Sequence, residues 1–148
     1  MLKNIAIGLL MMVVTTAIHA GFTVVTLKRL RLFLQRHDVG SQLSRFYVMG
    51  SAVLWMFAGS LVEVGLWGGL FMMLGAIAGA EPALYFSTVT FTTLGYGDVV
   101  LDPQWRLLAS IEAATGIIMF GWTTAVVLAV VQRVYSQGAS TKGGDGQG

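Results

Sequence analysis

The 148-residue sequence is 55% hydrophobic and 11% charged, with a formal net charge of +2. Soluble domains carry about 25% charged residues, so this composition excludes a soluble protein and indicates a membrane-embedded chain without a sizeable soluble module. There is no cysteine, hence no disulfide or thiolate metal site, and no phosphate loop, metal-spaced histidine pair or nucleophile elbow occurs. Neither enzyme chemistry, a soluble substrate, an organic cofactor nor nucleic-acid binding is expected.

Ile5 to Leu27 is an apolar run uninterrupted by charge, long enough for the ~20 residues that cross a hydrocarbon core. Ile18-His19-Ala20 has the look of a signal-peptidase site. The apolar character continues through Phe22 to Leu27, however, and ends in a basic cluster, which favours a retained helix. His19 lies inside this helix; it is read either as a packed, hydrogen-bonded histidine or as a proton sensor.

Residues 28–45 hold Lys28, Arg29, Arg31, Arg36 and Arg45 against Asp38 alone. Short loops rich in Lys and Arg stay cytoplasmic, and a basic arm of this kind also suits anionic lipid. The first helix is expected to run on to about Arg36, with His37-Asp38-Val39-Gly40 as the turn and Ser41 as the next N-cap. Residues 1–45 thus form an N-terminal membrane helix and a basic loop.

Phe46 to Ala80 is apolar apart from Glu63. One helix over all of it would overshoot a ~30 Å core. The span is therefore placed from Phe46 to about Leu66, with a glycine-rich remainder that finishes the helix and turns outside. Gly65 with Gly69, and Gly75 with Gly79, have the spacing that permits close helix approach.

Glu81-Pro82 suits the first turn of a helix, by charge and by fixed φ. Ala83 to about Phe91 is then helical but too short to span a bilayer. Irregular backbone follows at membrane depth, where it is tolerated only if buried in protein or lining a water-filled path. A re-entrant loop satisfies that condition. Pro103 opens the last helix, predicted from Gln104 to about Tyr135, with Trp105 and Arg106 at its outer interface and Gln132, Arg133 and Tyr135 at its inner one. Residues 136–148 are polar and glycine-rich, and are expected to be a disordered tail.

The segment Thr92-Thr93-Leu94-Gly95-Tyr96-Gly97-Asp98 resembles the selectivity filter of the potassium channel family, with Leu94 where the family usually carries valine. The resemblance covers about Phe46 to Tyr135, the predicted pore domain. It implies an all-α membrane protein with three transmembrane helices, a pore helix and a filter loop, assembled as a homotetramer in membrane lipid. It implies K⁺ as the permeant ligand, bound by the carbonyls of Thr93, Leu94, Gly95 and Tyr96, with Gly97 completing the filter. Thr92 and Asp98 would be the support and outer mouth. Charge bias independently brings the loop in from the outside: basic loop and C-terminus cytoplasmic, N-terminus external, in a cell (inner) membrane.

Gly95 and Gly97 fit a filter because alternate residues need left-handed backbone, which glycine adopts without steric cost. Many family members carry an acid where Val89 stands, so Asp98 needs another partner. Glu63, with Trp67 one turn later, and Glu112 are the candidates for bracing the loop from behind, an acid snorkelling to the outer interface being the other reading of Glu63. Gly116 or Gly121 is the candidate hinge of the inner helix, close packing being the other reading. No span carries arginine at every third position, which argues against a charged voltage sensor. The short tail is not expected to form a ligand-binding domain, so pH, lipid, tension and the filter itself remain as gating inputs.

Overall fold

A computed structural model describes residues 2–36 and 41–144; the predicted turn at His37–Gly40 lies outside the described residues, as do residues 145–148. Four helices follow in order: α1 (Leu2–Arg36), α2 (Gln42–Met73), α3 (Ala80–Phe91) and α4 (Arg106–Gly144). Three of them contain stretches long and apolar enough to cross a membrane: Leu2–Gln35, Gln42–Met73 and Arg106–Ser136. At 12 residues, α3 reaches only about 18 Å.

The ends of the helices follow their local chemistry. Ser41 Oγ accepts from the Ser44 backbone N–H at 3.2 Å, so the predicted N-cap of α2 forms. α2 runs on through the glycine-rich stretch to Met73. It closes with the Ala76 N–H on Phe71 O (2.9 Å) and the Gly75 N–H on Met72 O (3.0 Å). Gly75 has φ +67°, the left-handed residue this C-terminal motif requires. Gly75 and Gly79 are therefore turn glycines, not a helix-packing pair. At Gly65 and Gly69 a Cβ would meet nothing within 4 Å in the chain, so neither predicted pair brings helices together here. Close approach falls to other glycines: Gly59 lies under the Phe22 ring, and Gly68 against the Ala83 carbonyl and Leu84 Cα.

α4 starts at Arg106, after a turn in which the Trp105 N–H donates to Asp102 O at 2.8 Å. It continues to Gly144, nine residues past its predicted end at Tyr135. No proline interrupts residues 136–144, and extending a formed helix needs no new nucleus.

α1 runs antiparallel to α2 and parallel to α4. Phe22 meets Gly59 and Thr26 meets Met56 across the first pair. Along the second, Asn4 Nδ2 donates to the Gln104 carbonyl, Gly8 meets Leu108 and Ile111, and Leu30 packs with Val130. α3 sits between α2 and α4. Trp67, Phe71, Phe86, Phe91, Leu108 and Met119 form the core around it, with Phe71 and Phe86 edge-to-face at 5.2 Å. A second core joins the opposite ends of α1, α2 and α4 through Leu30, Val48, Val130 and Val134.

Candidate functional site: the 92–98 loop and its supports

The loop begins where α3 runs out of helix. The Thr92 N–H still donates to Thr88 O (3.0 Å), and the Thr93 N–H to Thr90 O (2.9 Å). Then the N–H groups of Leu94 and Gly95 both converge on Val89 O, at 2.9 and 3.3 Å. One carbonyl at the end of α3 thereby ties down the start of the loop.

Beyond that anchor the backbone alternates. Thr93 (φ 61°), Gly95 (φ 55°) and Gly97 (φ 80°) are left-handed, and Thr93 is the non-glycine residue with positive φ among the described residues. Glycine tolerates this region; a β-branched residue does so only under constraint from its surroundings. The Thr93 constraint is visible in its own N–H bond to Thr90 and its neighbour's bond to Val89. Left-handed residues at every second position turn successive carbonyls toward one side. Residues 92–98 are exposed in the single chain, with Leu94 at 55% and Tyr96 at 68%.

Asp98 closes the loop back onto α3. The Tyr85 hydroxyl donates to Asp98 Oδ2 at 2.6 Å, and the Val99 N–H to Oδ1 at 3.1 Å. The Tyr85 bond holds the Asp98 carboxyl below the usual carboxylate range, and the same bond pushes the Tyr85 phenol up. Tyr85, not Glu63 or Glu112, is thus the partner that Asp98 lacks at Val89. Tyr85 stands one helical turn before Val89, on the face that meets the loop; that spacing was the available signal. Between them, Tyr85, Val89, Gly95, Gly97 and Asp98 line a cleft of about 120 Å³.

The two membrane acids divide. Glu112 is fully buried and reaches α3: Ser87 Oγ lies 2.5 Å from Glu112 Oε1 and 2.8 Å from Val64 O. Ser87 has one hydroxyl proton and two acceptors, so both bonds hold together when the carboxyl itself carries a proton. Glu63 does not reach the loop. Its Oε1 sits 2.8 Å from His19 Nδ1 on α1, a partner that a carboxyl in a membrane span needs. Its full burial also excludes snorkelling to the interface. Trp67, one turn further, faces the core instead, its ring 6.2 Å from Phe71.

The two hinge candidates also divide. A Cβ at Gly116 would fall inside the Phe91 carbonyl, 2.9 Å from its carbon and 3.2 Å from its Cα, whereas one at Gly121 meets nothing within 4 Å. Gly116 is a packing glycine that lets α4 touch the end of α3.

Two apolar membrane-length helices flank a short helix and an anchored loop with left-handed backbone at alternate positions, an arrangement suited to a membrane protein that passes ions. Residues 59–133, just over half of the chain, match the family model described as ion channel. The chain belongs to this ion channel family. The match takes in α3, the loop and Glu63, Trp67 and Glu112, and leaves α1 outside. No curated protein and no solved structure matches the chain.

Proposed function

We propose that the protein is a potassium-selective channel, a homotetramer conducting K⁺ passively through a re-entrant filter. The observation that carries this reading is the alternation of left-handed backbone at Thr93, Gly95 and Gly97, anchored at Val89 O. A dehydrating K⁺ ion needs its water replaced by oxygen ligands at little net cost. The carbonyls of Thr93, Leu94, Gly95 and Tyr96 supply one row, and the Thr93 hydroxyl closes the lowest site. Closing a ring needs further copies, and cyclic symmetry supplies them. The exposure of Leu94 and Tyr96 in one chain supports a neighbour that covers them.

α3 enters from the outer face and ends beneath the loop. Its C-terminal carbonyls carry partial negative charge, which stabilises a cation there. Asp98, held ionised by Tyr85, draws cations to the mouth. Glu112 supports α3 through Ser87, and so supports the filter from behind. With residues 28–45 cytoplasmic, the N-terminus lies outside, beside the filter mouth; the contact of Asn4 with Gln104 agrees with that. Residues 46–135 are the pore domain, and α1 is an added element set in lipid.

The test is flux from liposomes holding the purified tetramer, run in K⁺ and in Na⁺, with reversal potentials in mixed gradients. Potassium flux with little sodium flux is expected. Equal fluxes would assign a weakly selective cation channel, with Leu94 as the cause. No flux from a verified tetramer would leave a non-conducting membrane subunit.

A further inference from the structure

The pore chemistry leaves one buried polar cluster unused. His19 on α1 is fully buried and touches two other helices: Nδ1 lies 2.8 Å from Glu63 Oε1 on α2, and Nε2 lies 3.2 Å from Thr123 Oγ1 on α4. The Trp122 ring stands edge-on to the imidazole at 5.6 Å. Glu63 is fully buried as well, and its second oxygen has no hydrogen-bond partner. Apolar packing alone would join α1 to its neighbours more cheaply than a histidine and a carboxyl at membrane depth.

We propose that His19, Glu63 and Thr123 form a proton-binding site that latches α1 onto α2 and α4 and ties conduction to pH. The inference rests on the channel reading for its functional consequence.

With one ring proton, Nδ1–H donates to Glu63 and Nε2 accepts from the Thr123 hydroxyl. Only these roles satisfy both contacts of a neutral imidazole on an ionised carboxylate. A second ring proton changes both links. The bond to Glu63 becomes an ion pair and the charge of the two groups cancels inside the membrane. Nε2–H turns donor, and the Thr123 hydroxyl must accept it and send its own proton elsewhere. Charge-assisted bonds are the shorter and stronger kind, so protonation tightens the hold of α1 on α4.

Histidine is the side chain that ordinarily makes this change between pH 5 and 8. Glu63 is the titratable group facing His19 from α2, while α4 presents Thr123 and Trp122, which do not titrate there. Glu112 is engaged with Ser87, roughly 16 Å up α4. On α1 the nearest cation along the helix is Lys28, roughly 13 Å away. Thr123, the α4 contact of His19, is itself half-buried, beside exposed Gly121 and Thr124 in the single chain.

A tighter latch restrains α4, so conduction falls on acidification. Single-channel recordings of the full chain in bilayers should show open probability falling by about fivefold or more from pH 8 to pH 5, the low end of ordinary coupling between sites. His19→Gln should flatten the curve. Thr123→Val, which keeps the His19–Glu63 contact, should shift its midpoint and serves if His19→Gln fails to assemble. Imidazole NMR of ¹⁵N-histidine protein, with His37→Gln to leave one signal, should place a titration of His19 over the range where conduction changes. A flat or inverted wild-type curve, an unaltered curve in His19→Gln, or no titration of His19 would overturn the latch. Failure of the channel reading looks different: no current at any pH.

Discussion

Gly116→Ala separates packing from bending in the inner helix. The new Cβ would lie 2.9 Å from the Phe91 carbonyl carbon and nearer still to its oxygen. Comfortable carbon contacts begin at about 3.5 Å, and the oxygen is the limiting atom, so α4 or the end of α3 must move by more than about 1 Å. The obstacle is backbone, with no side-chain rotamer to yield. Overpacking of this kind costs about 1–3 kcal/mol, offset by the roughly 1 kcal/mol that alanine gains over glycine in a helix. Taking the upper end, the variant should be destabilised by about 2 kcal/mol. Gly121→Ala is the control: with nothing within 4 Å of its Cβ, it should gain up to about 1 kcal/mol. Equilibrium unfolding of the detergent-solubilised protein measures both. Because Phe91 ends α3 just before the loop, Gly116→Ala should also lower K⁺ flux. Equal stability of the two variants would refute the close approach of α3 and α4. Gly121 is then the position at which bending can be tested without a packing change, through its open probability.

Tyr85→Phe removes the donor that chiefly holds Asp98 below its ordinary value of 3.8, so the Asp98 carboxyl should titrate at higher pH in the variant. In the wild type the Tyr85–Asp98 bond is present above the usual carboxylate range and is lost only as pH falls through the lowered value; carboxyl NMR titration reads both. Glu112→Gln should assemble and conduct, since an amide can donate to Ser87 while Ser87 donates to Val64. Glu112→Ala leaves Ser87 only its bond to Val64 O and opens a void, and should cost about 2–4 kcal/mol in the same unfolding assay. Leu94→Val restores the β-branched residue that restricts χ1, and should raise the K⁺/Na⁺ permeability ratio severalfold in reversal-potential measurements.

The helices were legible because their signals are local. Ser41 caps α2 through Ser44 three residues on, and Glu81 opens α3 within its first turn. The left-handed positions at Gly95 and Gly97 were legible for the same reason. The Thr93 φ was not, because nothing in threonine's own preferences asks for it; it comes from bonds to Thr90 and Val89 that exist only once α3 has ended. Pairings between helices were hidden. Glu63 and His19 are 44 residues apart, and only the register of α1 against α2 decides that they meet. Glycine spacing misled for a related reason. Gly65 and Gly69 have the right interval but the wrong face, whereas Gly68 and Gly116, without a motif, meet the backbone of α3.

Those two glycines explain how a twelve-residue helix can be a fixed support. α3 cannot fix its own place, being too short for its own hydrogen bonds to define its position. It is seated at its start by Gly68 against Ala83, at its middle by Ser87 between Val64 and Glu112, and at its end by Gly116 against Phe91. Each contact uses backbone or a buried hydroxyl, so each tolerates little displacement. Between the second and third of them lies Val89, whose carbonyl takes the Leu94 and Gly95 N–H groups. The precision of the loop is therefore inherited from α2 and α4 through α3. From α1, His19 contacts Glu63 on α2 and Thr123 on α4, the latter roughly 10 Å down the helix from Gly116. A movement of α4 that the His19 latch permits or forbids would reach the loop through the Gly116–Phe91 contact. Gly116→Ala should accordingly weaken the pH dependence that His19→Gln abolishes, while Gly65→Ala, with open space around it, should leave it unchanged.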